Sequence, residues 1–456
     1  MPTPVETSLR RTLGVRSSAA LIVGNIIGMG VFLTPAEVAR ASGSGYEYLG
    51  HWVLGAFVAG AGALVAAELG MRFPHAGGDY VFLDRAYGRP IAVAWGWMSF
   101  LLSFAASIAA MAVGLGETLA STTVLAGLKG DILVLGGVHL TGVDLVGTLA
   151  VVAATALNLG SVRMVGRVQL WVAGGLLFGF SCLGMLTVAR ATTEIGPVLA
   201  TVSTPENGAT SAVGAAIAAV FFTYTGWNVL TYVGSDVKNP QRTIPRAVML
   251  SVALVAALYL LLNVAFLLTL PLNVLRETPN AGVALAREVL GPTGGDGFAV
   301  LVALAILSGL NSSIMAGSRV ALALAGDGHL WRPAGKVHPR LGTPVVALLG
   351  QAVWVVALVL TGSFGSLVTL SGSVMILLSA LTVSTVFIFR RRDPGIAALP
   401  GHPFVPAVYL VFAATALVMV ALSEWRWLLA GIAVFAGLAL SQAWARSRAK
   451  PLETSR

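Results

Sequence analysis

The chain has 456 residues, 57% of them apolar and only 10% charged, whereas a soluble domain carries roughly 25% charged residues to keep its surface wetted. This composition excludes a soluble globular protein and points to a chain whose solvent is lipid. The net charge of +9 comes from Lys and Arg spread in small groups along the whole chain, which excludes a nucleic-acid-binding domain and fits contact with anionic headgroups.

A helix needs about 20 mainly apolar residues to cross the hydrocarbon, and such runs recur from end to end. In chain order they predict an all-α integral membrane protein with twelve transmembrane helices, near 17 to 39, 49 to 71, 91 to 120, 139 to 158, 165 to 189, 211 to 235, 247 to 270, 297 to 325, 344 to 361, 366 to 389, 404 to 422 and 426 to 445. The first sixteen residues hold Arg10, Arg11 and Arg16 but no short apolar core followed by a small-residue cleavage site, so the first span is expected to be retained. With both termini placed in the cytoplasm, the inner segments collect 22 of the 28 Lys and Arg, the asymmetry expected of cytoplasmic loops. The expected location is the cell (inner) membrane, multi-pass.

Within the first span the stretch GNIIGMG, residues 24 to 30, puts three glycines and an asparagine about 18 Å from Ser17, close to the midplane of a 30 Å core. Gly24 and Gly28 form a GxxxG pair, for which close helix packing is the plain reading. A second interruption, FFTYTGWN at 221 to 228, lies equally deep in the sixth span. Corresponding interruptions five spans apart point to a transporter built from two inverted repeats with its substrate site between the breaks. Unwound segments in lipid must face protein, water or ligand, and an amino acid zwitterion satisfies both kinds of freed group. Its carboxylate suits amides at the start of a half-helix, and its ammonium suits released carbonyls. The expected units are a cytoplasmic tail (1 to 16), a first repeat (17 to 190), a second repeat (208 to 391), two further helices (404 to 445) and a second cytoplasmic tail (446 to 456).

Other chemistry is poorly supplied. Cys182, inside the fifth span, is the only cysteine, so neither an intramolecular disulfide nor a thiolate metal site can form. The six histidines fall at span ends or in loops, and no HExxH, GxSxG or P-loop string occurs. An intramembrane enzyme would need a midplane nucleophile with an acid–base partner, and a nucleotide-driven pump would need a soluble domain. Ionisable residues inside spans are functional by default. Glu68, at the inner end of span two, is read as an anchor for the FPHAGGDYVFLDRAYG loop, itself a short amphipathic cytoplasmic segment. Glu117 is read as reaching headgroups and Glu37 as an interfacial or gate-lining group; either would serve a cationic or polyamine substrate in the alternative reading. Arg163 and Arg167 are read as positive-inside residues. Trp95, Trp97, Trp425, Trp427 and Trp444 are assigned to interfaces.

Taken in order, GNIIGMGVFLTP, AAELGMRFPHAGGDYVFLDRAYG, FFTYTGWN, VKNPQRTIPRA and the long run NSSIMAGSRVALALAGDGHLWRPAGKVHPRLGTPVVALL resemble the amino acid–polyamine–organocation (APC) transporters, in particular the bacterial L-type and basic amino acid permeases. The resemblance implies the LeuT-type fold of two inverted five-helix repeats, discontinuous helices 1 and 6, and two extra helices. It implies a permease working as antiporter or symporter, with the substrate carboxylate on the amides of Gly28, Met29 and Gly30 and the amine on carbonyls of Ile26 and Ile27. In span six it implies a gate at Phe222, unwound residues Thr223, Tyr224, Thr225 and Gly226, and a supporting polar group at Asn228. Met29 stands where members often have serine, and Leu176 where many proton-linked or sodium-independent members place a lysine. Sodium or a proton remains the coupling-ion expectation. Ser308 and Ser312 are the candidate sodium ligands, against the plainer reading that they bond back to their own helix. No other cofactor is expected. The expected partners are an amino acid, neutral because neither motif supplies a carboxylate, and the bilayer, with no nucleic acid and no disulfide-linked subunit.

Overall fold

A computed structural model describes residues 11–75, 77–135, 138–160, 162–191, 195–200, 209–361, 364–393 and 400–449. The outermost residues of both expected tails, and the junction at 208, lie outside them. In chain order the helices are α1 (Val15–Ile26), α2 (Gly30–Leu33), α3 (Pro35–Ala41), α4 (Gly45–Arg72), α5 (Asp79–Tyr87), α6 (Arg89–Met98) and α7 (Ala105–Ala120). A two-stranded antiparallel hairpin, β1 (Asp131–Leu135) and β2 (Val138–Thr141), precedes α8 (Gly142–Leu159), α9 (Val162–Arg190), α10 (Ile195–Ala200), α11 (Ala209–Tyr224) and α12 (Val229–Tyr232). Then come α13 (Pro240–Thr269), α14 (Leu272–Arg276), α15 (Ala281–Gly326), α16 (Val345–Thr361), α17 (Phe364–Arg392) and α18 (Phe404–Ala449).

Length and composition mark eight membrane-crossing stretches among the described residues; the other four expected spans fall on shorter pieces. Span six is split into a 16-residue and a 4-residue helix, too short singly to cross 30 Å at 1.5 Å per residue. Spans nine, eleven and twelve fall on apolar helices at Val345–Thr361, Phe404–Met419 and Gly431–Ala443, the last two inside α18. Side chains of Arg163, Trp425, Trp427 and Trp444 lie outside the described residues.

Local chemistry explains several boundaries. Residues 139 to 141, expected as the start of a helix, belong to β2, and α8 begins at Gly142 because Thr141 and Asp144 form a reciprocal capping box. Helix α13 begins at Pro240, earlier than expected, since proline at the first helical position needs no amide partner. Within α15 Gly291 has φ +78°, bending the chain ahead of the expected span. Helices α1, α13, α4, α9 and α15 pack around one another, burying Trp52, Tyr48, Tyr259 and Phe32 almost completely.

Candidate functional site

Both expected breaks are present, although Thr223 and Tyr224, expected as unwound, are the last residues of α11, so the second break begins at Thr225. Helix α1 stops because Ile27 leaves the helical region (φ −75°, ψ 88°), close to the dihedrals of an inverse γ-turn, and the Gly28 amide donates to the Ile26 carbonyl at 2.9 Å. The amides of Met29 and Gly30 take no backbone acceptor among the described residues. In the second break α11 stops at Tyr224, and Gly226 adopts φ +110°, a conformation open chiefly to glycine. A Cβ on Gly226 would lie 2.6 Å from Asn25 Nδ2.

Two side chains tie the breaks together. Asn25 Nδ2 donates to the Gly226 carbonyl at 3.1 Å, while the Ser313 hydroxyl donates to Asn25 Oδ1 at 3.0 Å. The Tyr259 hydroxyl, fully buried on α13, donates to the Ile26 carbonyl at 2.9 Å and lies 3.4 Å from that of Thr223. Thr34 and Thr223 hydroxyls meet at 2.9 Å. Gly30 and Thr223 approach so closely that a Cβ on Gly30 would sit 2.9 Å from the Thr223 Cα.

Between the breaks lies a cavity of about 90 Å³, well above the roughly 10–15 Å³ that admits one water. Of the predicted residues, Ile26, Gly28, Met29, Gly30, Phe222, Thr223, Thr225, Gly226 and Asn228 line it. Ile27 is fully buried and not among the lining residues. The GxxxG pair divides: a Cβ on Gly24 would collide with Gln169 and Ser308, the packing role, whereas one on Gly28 would meet nothing within 4 Å.

Ser308, Ser312 and Leu176 lie away from this cavity, in the packing of α1, α9 and α15. Ser312 donates back to the Ser308 carbonyl at 3.0 Å and sits 3.5 Å from that of Leu21. Leu176 is buried. A neutral side chain from α9 enters this region instead: Gln169 Nε2 donates to Ser308 Oγ at 2.5 Å, Asn311 Nδ2 to Gln169 Oε1 at 3.3 Å, and Asn158 Nδ2 to Asn311 Oδ1 at 2.7 Å.

Sequence reasoning missed three features. Asp79 lines the cavity, accepting from the Tyr232 hydroxyl at 2.7 Å and from Asn228 Nδ2 at 3.3 Å. The signal was the Gly77–Gly78 pair, at φ +102° and +48°, which brings the loop against the Tyr232 backbone where a Cβ on Gly78 would lie 3.0 Å from its nitrogen. Helix α5 belongs to none of the membrane-crossing stretches. Burial there pushes the Asp79 carboxyl up to about 6, against the pull of hydrogen bonds from Tyr232, Asn228 and Thr382. Secondly, Trp95 is not interfacial: six residues into span three it is 1% exposed, stacks on Tyr232 and lines the cavity. Thirdly, Ser99–Phe104 between α6 and α7 is a π-helical turn, a form common at functional sites, and Ser99, Ser103 and Phe104 face the cavity.

The remaining acidic residues serve elsewhere. Glu68 takes Arg390 Nη2 at 2.5 Å and Arg72 Nε at 3.2 Å, tying α4 to α17, a junction between two spans where an anchor for the FPHAGGDYVFLDRAYG loop was expected. Glu37 pairs with Arg40 at 2.7 Å, and neither Glu37 nor Glu117 lines the cavity. Tyr80 and Arg89 both bond Asp327, which fastens α5 beside the end of α15.

The chain matches the model of the family described as "Amino acid permease" over residues 13–438. It is 28% identical over 407 residues to the serine/threonine exchanger SteT of Bacillus subtilis, covering 88% of this chain and 89% of that one. It is 29% identical to the mouse Asc-type amino acid transporter 1, covering 92% and 78%, and 27% identical to the human large neutral amino acids transporter small subunit 2, covering 91% and 77%. These relatives are transporters and not enzymes, and the long apolar helices are those of a multi-pass membrane protein. The chain belongs to the amino acid permease family and is an amino acid transporter of the membrane.

Proposed function

We propose that this protein is a secondary transporter of small neutral amino acids, working by alternating access in the cell membrane with both termini cytoplasmic, on a twelve-helix frame of two inverted five-helix repeats plus two helices. The observation that carries this reading is the pair of breaks facing one cavity, with the Met29 and Gly30 amides free of backbone acceptors among the described residues and the Thr223 carbonyl close by. The substrate carboxylate takes the two amides, where developing helix α2 also favours an anion; the Gly28 amide is already engaged in the γ-turn. The ammonium takes carbonyls of the two breaks. Phe222, half-buried over the cavity, closes it.

Coupling in this reading requires no bound cation between α1 and α15. Gln169 brings an amide nitrogen to Ser308 beside Gly24, where an ion or a lysine ammonium would otherwise bridge the two helices. Exchange of one amino acid for another then needs neither sodium nor a proton, in keeping with a relative named as an exchanger. The test is uptake of labelled serine, threonine, alanine, leucine and lysine into proteoliposomes loaded with unlabelled amino acid, with sodium replaced by choline and pH stepped. Uptake that survives sodium replacement is expected; absence of uptake for every amino acid would refute the transporter mechanism, and strict sodium dependence would refute the coupling.

A further inference from the structure

The loop between α15 and α16, residues 327–344, lines no part of the cavity. It joins two span ends, since one apolar stretch stops at Gly326 and the next apolar helix begins at Val345. The loop is held close to both. The His329 amide donates to the Leu324 carbonyl at 2.8 Å, and Gly335 rests on the last turn of α15, where a Cβ would lie 3.2 Å from the Ala325 carbonyl carbon. Farther along, the His338 amide donates to the Thr343 carbonyl at 2.9 Å and the Gly342 amide to the His338 carbonyl at 2.8 Å. The buried Thr343 hydroxyl in turn reaches the Leu159 carbonyl at the end of α8, at 3.4 Å. Fastened in this way, the loop stays at the level of the span ends instead of reaching into solution.

Its exposed side chains combine one charge sign with apolar surface. Trp331 is 71% and Leu341 38% exposed, and Arg332, Lys336 and Arg340 are exposed with them. No Asp or Glu occurs from Gly328 to Pro344. None of the three cations forms an ion pair among the described residues, whereas at other span ends Arg72 and Arg390 meet Glu68, and Arg89 meets Asp84 and Asp327. An indole held in water gains nothing, but at the headgroup level its ring is half in hydrocarbon and its N–H stays wet. Cations at that level are drawn to anionic lipid, and arginine pairs with phosphate oxygens in two parallel hydrogen bonds. We propose that this loop is a docking surface for anionic phospholipid headgroups, with Trp331 seated at the headgroup level and Arg332, Lys336 and Arg340 on the phosphates. A zwitterionic headgroup offers the same phosphate beside its own cation, so the net-negative lipid is the one selected. The surface is independent of the transport cycle and of which leaflet it meets.

Cys182 is the only cysteine, so a fluorophore attached to Pro339→Cys in a Cys182→Ser background reports this loop alone. The full chain is placed in nanodiscs of mixed phosphatidylcholine and phosphatidylglycerol, with a nitroxide at the top of the acyl chain of one lipid or the other. Quenching is expected to be several-fold stronger when the nitroxide is carried by phosphatidylglycerol. Raising salt to about 1 M, where screening shortens to about 3 Å, is expected to erase the difference, as is the combined Arg332→Gln, Lys336→Gln and Arg340→Gln variant. Trp331→Ala is expected to weaken quenching by both lipids. All four side chains are exposed, so melting temperatures should hold; if the triple variant fails to fold, Arg340→Gln alone and the salt titration read the same preference. Equal quenching by the two lipids, a preference that survives both the substitutions and the salt, or a probe reached by aqueous iodide and by neither lipid overturns the proposal. None of these outcomes depends on transport, so the transporter reading stands or falls separately.

Discussion

At the scale of single residues, Gly30 is the constrained position of the first break. Its missing Cβ lets α2 pack against Thr223, where a Cβ would lie 2.9 Å from the Thr223 Cα, and because that obstacle is backbone it cannot swing aside. Gly30→Val is therefore expected to reach the membrane at normal levels yet lose substrate binding at least ten-fold, measured as ligand-induced thermal stabilisation; undiminished binding would count against the site. Asp79 carries a pH signature. Its carboxyl is lifted from the ordinary carboxylate value of 3.8 to about 6, chiefly by burial, so between those values the folded state binds more protons than the unfolded one and stability falls as pH rises. Acidification from pH 7.5 to 5 should stabilise the wild type through this group by about 1.4 kcal/mol, and Asp79→Asn should remove that increment in detergent melting curves. Gly30 was legible from the motif alone. Asp79 was legible only in part: the Gly77–Gly78 pair marks a tight turn, but not that the turn carries the loop against Tyr232 at the cavity.

At the scale of elements, the breaks persist because side chains from other helices take over the hydrogen bonds that helices α1 and α11 give up. Tyr259 is the principal example, one hydroxyl on unbroken α13 reaching carbonyls of both interrupted spans. Tyr259→Phe is expected to cost about 1–2 kcal/mol, the size of a buried hydrogen bond left unmade, and to slow uptake because the two breaks lose their common tether; melting temperature and initial uptake rate report these separately. The existence of both interruptions could be read from glycines and β-branched residues at matching depth. The π-turn could not, since SFLLSF has the pattern of any apolar helix and only its packing against Tyr232 through Phe104 distinguishes it.

At the scale of the whole molecule, the segment before α1 is latched to the end of the second interrupted span. Thr12 and Leu13 amides donate to the Asp236 carbonyl at 2.7 and 2.9 Å, and the Lys238 amide donates to the Leu13 carbonyl at 2.8 Å. The Asp236 carboxylate in turn accepts from Arg319 of α15 at 3.0 Å, both side chains being almost fully buried. Arg319→Met should destabilise the protein by about 3–5 kcal/mol by stranding a buried charge, whereas Arg319→Met combined with Asp236→Asn should recover much of the loss; equal melting temperatures for single and double variants would show that the pair is not coupled. Composition and hydropathy settled the solvent, the class and the approximate course of the spans, since lipid tolerates only long runs without charge, and glycine placement located the breaks because helix propensity is local. Which polar residues meet across the cavity, that Trp95 turns inward, that Gln169 rather than a lysine enters beside Ser308, and that Asp79 joins the site were decided by tertiary packing, because each depends on contacts between residues tens to hundreds of positions apart that no local pattern encodes.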